Sequence, residues 1–174
     1  MKRGGGKQKG SAFERQVCKD LSLWLSGGKH DDWFWRSAMS GGRATVGKKA
    51  GNIRSQQAGD ISAIEGLRAS LFAKRFYMEC KHVKSLDMHG LPFRRGFLFR
   101  CARSALREAI CYDKTPLLFV KQNRLPAMVG CLRMSCEFGN VAPTIEVRVD
   151  CVAIGFVPLD EFFGNAVWLY RLHP

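Results

Sequence analysis

Glu79 and Lys81 stand two residues apart in the run Phe76-Tyr77-Met78-Glu79-Cys80-Lys81-His82. At that spacing a carboxylate can ligate a metal ion while the ammonium sits beside the attacking water. The triplet alone decides nothing: ordinary usage of charged residues yields about one acid-x-Lys match by chance in a chain this long. Its plain alternative is a solvated strand face with one surface ion pair. Two more acids give it company, Asp60 in Gly59-Asp60-Ile61-Ser62-Ala63-Ile64 and Glu14 in Ser11-Ala12-Phe13-Glu14. Three carboxylates around a hard cation supply the oxygen ligands that Mg²⁺ takes. With Lys81 balancing charge, the set suits hydrolysis of a phosphodiester.

These residues need elements to hold them. Strand alternation puts Tyr77, Glu79 and Lys81 on one face and the apolar Phe76, Met78 and Cys80 on the other. Gly59 to Ile64 reads as a short strand with Asp60 and Ser62 on one face. Gly66 to Lys74 reads as a turn, so the two strands are expected to pair as an antiparallel hairpin with Asp60 beside Glu79. Ser11 starts the first helix: Ser11 and Glu14 have capping-box spacing, and Phe13, Val17, Leu21 and Trp24 or Leu25 recur at helical period until Gly27-Gly28. Glu14 therefore has two readings, a reciprocal cap or an acid reaching a neighbouring site.

Trp33 to Ser37 is an aromatic strand. The stretch from Ser40 to Ala58 is Gly-rich and nearly free of apolar residues, and it carries Arg43, Lys48, Lys49 and Arg54. Such long loops are either functional or disordered; the charge here suits a grip on phosphates. Phe97 to Tyr112 is an amphipathic helix whose polar side bears Arg100, Arg103 and Arg107, either a solvated face or a basic ridge for a polyanion. Leu117 to Val120 is a continuous apolar run of the kind found in a strand covered on both faces. The unit from residue 76 to 122 fits a right-handed parallel crossover. Ala127 to Met134, Ile145 to Asp150 and Val152 to Val157 read as further strands, Pro158 to Phe163 as a short helix and Val167 to Leu172 as a last strand.

The chain has 174 residues, enough for one domain with a proper core. Its 28 Lys plus Arg against 15 Asp plus Glu give a net charge of +13, which calls for a polyanionic partner, nucleic acid or an anionic membrane surface. The seven cysteines are odd in number and include no CxxC pair, so a zinc ribbon or finger lacks its spacing. They read as small core residues in a reducing compartment. No apolar run is long enough to span a membrane, and no hydrophobic signal segment follows the basic start. The expected location is the cytoplasm.

Gly10-Ser11-Ala12-Phe13-Glu14-Arg15, Arg36-Ser37, Ser40-Gly41-Gly42, Gly59-Asp60 and Glu79-Cys80-Lys81 together resemble the PD-(D/E)xK nuclease superfamily, and within it the archaeal-type Holliday junction resolvases. The resemblance spans roughly residues 8 to 125. It implies an α/β fold, a restriction-endonuclease-like mixed β-sheet core flanked by helices (αβββαβ), with an extra β-rich C-terminal extension. The implied organisation is a basic flexible tail over 1–10, a nuclease core over 11–135 and an extension over 136–174 packed on the same domain. Glu14, Asp60, Glu79 and Lys81 match the family's catalytic set, with Gln122 as a polar residue on the next strand. Asp60, Glu79, Glu14 and the backbone carbonyl of Cys80 would hold Mg²⁺, for which Mn²⁺ can substitute. Arg36, Ser40 and the basic residues of the loop and helix would contact DNA. The implied activity is endonucleolytic cleavage of branched DNA by a homodimer; the alternative is a non-catalytic nucleic-acid-binding protein on the same scaffold. The residue before Asp60 is Gly rather than Pro, as in the resolvases.

Overall fold

The computed structural model describes residues 5–37, 58–132 and 142–164. The elements are α1 (Gly5–Ser26), β1 (Phe34–Arg36), β2 (Ile61–Ala63), α2 (Leu67–Arg75), β3 (Phe76–Val83), α3 (Phe97–Cys111), β4 (Thr115–Gln122), β5 (Ala127–Leu132), β6 (Ile145–Val149), β7 (Val152–Pro158) and α4 (Leu159–Gly164). A 3-10 turn over Met88–Phe93 precedes α3.

The apolar run of β4 explains the architecture. Leu117, Leu118, Phe119 and Val120 are all buried. Alternation sends Leu117 and Phe119 into a core under α1, α2 and α4, and Leu118 and Val120 into a second core under α3. Helices therefore cover a five-stranded sheet on both faces, in the order β3-β4-β5-β7-β6. β3 and β4 run parallel across α3, as the crossover predicts; the other neighbours are antiparallel. The strands after residue 141 complete this sheet rather than forming a separate layer. β1 and β2 make a small antiparallel sheet of their own, with Phe34 and Ile61 packed inward beside the α1 residues Val17 and Leu21.

Three local expectations are corrected. The first helix begins at Gly5, not Ser11, so Ser11 lies inside it and the capping box does not form. Gln8 and Lys9 are good helix formers, and α1 runs back past Gly10 through residues expected to be a flexible tail. The segment after Gly66 is a helix, not a turn: Ala69, Phe72 and Ala73 recur at i, i+3 and i+4 and are buried. Because a helix intervenes, β2 and β3 do not form an antiparallel hairpin. Gly59 instead bridges Met78 in parallel, since a strand–helix–strand path returns the chain in its original direction. The strand expected over Val167–Leu172 lies outside the described residues.

Lys114, at the entry to β4, donates from Nζ to the Ala73 carbonyl at 2.7 Å and so ties the start of that strand to α2. Burial lowers its pKa from 10.5 to about 8. Below about 8 the folded protein holds a partly buried charge at a cost; between about 8 and 10.5 it sheds the proton before the unfolded chain does. Wild-type stability is therefore expected to gain on that of Lys114→Met as pH rises through this window. Urea midpoints measured at both ends of it check the slope.

Candidate active site

β3 brings the chemistry to the sheet edge. Glu79 and Lys81 are half-buried on the face that α3 covers, and Lys81 Nζ donates to Glu79 Oε1. Tyr77, on the same face, donates its hydroxyl to Glu79 Oε2 at 3.3 Å and stacks on Tyr112 with ring centroids 6.1 Å apart. Both oxygens of Glu79 are thus oriented by neighbours on its own strand. Alternation already put Tyr77 beside Glu79; its bond to the carboxylate is what the sequence reading missed.

Asp60 arrives from β2. Its backbone N–H donates to the Met78 carbonyl at 2.8 Å, and its side-chain Oδ2 accepts from the Cys80 N–H at 2.9 Å. A side chain here takes over the ladder from the backbone, so Asp60 is locked between two residues of β3. It is 8% exposed. Gly59 makes the approach possible: its φ is +92°, and a Cβ there would lie 2.4 Å from the Met78 carbonyl oxygen. Proline, fixed near −65°, cannot adopt that backbone, which is why Gly stands before the acid.

The pair carries more negative charge than its surroundings neutralise. Burial, then the charge of Asp60, pushes the Glu79 carboxyl above its ordinary value; Lys81 and Tyr77 offset this only in part. Burial would lower the Lys81 ammonium, but Glu79 and then Asp60 outweigh it and hold it above its usual value. Burial and then Asp60 also raise the Cys80 thiol. One buried and one half-buried carboxylate beside a single ammonium have the donor chemistry of a divalent-cation site. Among the described residues, no three His, Cys, Asp or Glu side chains gather closely enough to hold a metal by themselves. Backbone and solvent oxygens would have to complete the shell, which is what Mg²⁺ favours.

Glu14 stands on the other side of the sheet edge. Its Oε2 accepts from Arg36 Nε at 2.5 Å, with the carboxylate 14% exposed. α1 reaches β3 through Phe13, whose ring meets His82 edge-on with centroids 5.8 Å apart. The charge of Glu14 is felt at Cys80, but among the described residues Glu14 does not join Asp60 and Glu79 in a group of three metal-capable side chains. Glu14 and Arg36 are thus a half-buried pair near Asp60 rather than members of the Asp60–Glu79 cluster. Gln122 stands beside Val83, and its Oε1 accepts from the Leu86 N–H at 2.9 Å, which anchors the loop leaving β3. Arg100 and Arg107 are exposed on α3 and Arg103 is half-buried; Arg100 and Arg103 lie over the rings of Phe97 and Phe99. Their neighbour Cys101 is close enough for Lys81 and Glu79 to affect its thiol, so the ridge flanks the site. Ser40, Arg43, Lys48, Lys49 and Arg54 lie outside the described residues.

Residues 5–149, well over half the chain, match the model of a family described as "Phage putative PDDEXK endonuclease". The chain belongs to that family. This PDDEXK assignment puts it in the PD-(D/E)xK superfamily, and its five-stranded mixed sheet flanked by helices is the corresponding restriction-endonuclease-like fold. The matched span takes in the Asp60–Glu79–Lys81 cluster and most of the sheet. No curated protein and no solved structure matches the chain. Among the described residues no helix of this PDDEXK protein is long and apolar enough to cross a membrane.

Proposed function

We propose that this protein is a divalent-metal-dependent endonuclease that hydrolyses phosphodiester bonds in DNA. One observation carries the reading: buried Asp60 and half-buried Glu79 meet at β3, and the second acid is bonded to Lys81. Asp60, Glu79 and the Cys80 carbonyl would hold Mg²⁺, or Mn²⁺ in its place. When bound, the cation supplies a polarised scissile phosphate and a more acidic water. Tyr77 and Lys81 keep the Glu79 carboxylate aimed, and Cys80 does the same for Asp60. Lys81, held charged by the two acids, balances negative charge as it develops on the phosphate. Arg36, neutralised by Glu14, and the arginines of α3 line the approach of the DNA backbone.

The resemblance to junction resolvases extends the proposal to branched DNA and a homodimer. A net charge of +13 supports backbone affinity without base reading, which agrees with selection by shape. The test is a panel of four-way junction, flap, linear duplex and single strand incubated with Mg²⁺ or Mn²⁺, with Asp60→Ala as control. Cleavage by wild type alone is expected, strongest on the junction. If wild type leaves every substrate intact in both metals, the proposal fails.

A further inference from the structure

The small β1–β2 sheet buries one face and exposes the other. Phe34 and Ile61 point into the core, while Trp35 is 61% exposed and Ile64 is 63% exposed. Ile64 lies two residues beyond Ser62, the cross-strand partner of Trp35, so alternation puts the two exposed apolar side chains on one face, and such a pair marks a contact surface. Trp35 stands directly opposite Ser62. Ser62 Oγ and Ser37 Oγ are 2.6 Å apart, which puts Ser37, Ser62 and Trp35 on one outward face. Ser37 is also the residue whose N–H donates to the Asp60 carbonyl, at 2.8 Å. Trp35 is therefore a diagonal cross-strand neighbour of Asp60, with a backbone separation of about 7–8 Å. That is roughly the step between successive nucleotides of an extended strand.

We infer that Trp35, flanked by Ile64, is a stacking platform for an unpaired base of the substrate next to the phosphate held at Asp60, with the Ser37 and Ser62 hydroxyls facing the intervening sugar-phosphate. The inference rests on the nuclease reading for its placement, but not for the binding it predicts. An exposed indole in a strongly basic protein fits a nucleobase: the phosphates satisfy the charge, and any base offers a face to stack on. A fully paired duplex offers no such face. Trp35 thus selects DNA that is single-stranded, frayed or branched at the cleavage point, independently of base identity.

The test measures binding in EDTA, where no cleavage occurs. A short single strand carrying 2-aminopurine and a fully paired duplex of the same sequence are titrated with wild type, Trp35→Ala and Trp35→Phe. Wild type is expected to quench the 2-aminopurine. Trp35→Ala is expected to relieve the quench and bind the single strand about tenfold more weakly, with duplex affinity unchanged. Trp35→Phe, which keeps a ring, should retain most of the single-strand affinity. Equal single-strand binding by wild type and Trp35→Ala overturns the inference. So does an equal loss on duplex, or a change confined to oligomeric state by sedimentation, which would make the patch a contact between copies. Cleavage by wild type in Mg²⁺ separates the two readings. Quenching without cleavage sinks the nuclease proposal and leaves the platform; cleavage with no effect of Trp35→Ala does the reverse.

Discussion

Glu79→Gln is expected to reduce metal-dependent DNA cleavage by about 10³-fold while leaving DNA affinity in EDTA unchanged. The magnitude follows from the role. Metal-borne stabilisation of transition-state charge is worth several kcal/mol, and each 1.36 kcal/mol is about a factor of ten in rate. Gln preserves the shape of the side chain and can still accept from Lys81, but it removes one of the two charges that attract the cation. The fold should not suffer. The Glu79 carboxyl is held above its ordinary value by burial and by Asp60, so its ionised form costs stability at neutral pH, and the cost vanishes as pH falls and the group protonates. The neutral Gln carries no such cost, so the Tm of Glu79→Gln in EDTA at pH 7 is expected to equal or exceed that of wild type. Cleavage within tenfold of wild type would remove Glu79 from the metal site. A lowered Tm would make its role structural.

Gly59→Ala is expected to destabilise the protein by about 3 kcal/mol and to abolish cleavage even in the fraction that folds. Two costs add at this position. The φ of +92° is one that L side chains rarely adopt, worth about 1–3 kcal/mol. The new Cβ would also lie 2.4 Å from the Met78 carbonyl oxygen, a backbone atom of β3 beside a fully buried side chain, which has little room to yield. Any relief pulls the chain away from β3 and breaks the Asp60 N–H bond to Met78 and the Cys80 N–H bond to Asp60. For a chain of this size the shift in Tm is about 6–12 °C, measured by thermal unfolding. Cleavage per folded molecule, measured at a temperature where both proteins are folded, reads the second effect. An unchanged Tm would show that the close approach of Gly59 to β3 is absent in solution.

The parts legible in the sequence were those governed by short-range pattern. The apolar run Leu117–Val120 announced a strand covered on both sides, and the structure divides its side chains between two cores. The stripe of Phe97–Tyr112 announced α3, and the crossover from β3 to β4 followed from strand–helix–strand order. Misreadings arose where two patterns competed. Ser11-x-x-Glu14 has the spacing of a cap, yet the helix formers before it carry α1 back to Gly5. The stretch after Gly66 is short and opens on a glycine, yet Ala69, Phe72 and Ala73 form a helical face once the core is there to receive it.

By itself the sequence determined that Glu79 and Lys81 share a strand face, that a short strand runs close after Asp60, and that the chain is strongly basic, because alternation and charge are properties of the chain read locally. Only the tertiary structure decided how those acids meet. A helix between β2 and β3 makes their contact parallel, so Asp60 reaches Glu79 through a side-chain bond to the Cys80 N–H rather than across a hairpin. It also decided that Glu14 is neutralised by Arg36 and that Trp35 is left facing water one strand from Asp60. Both outcomes depend on which side chains from distant segments are brought within bonding distance, and no local periodicity encodes that distance.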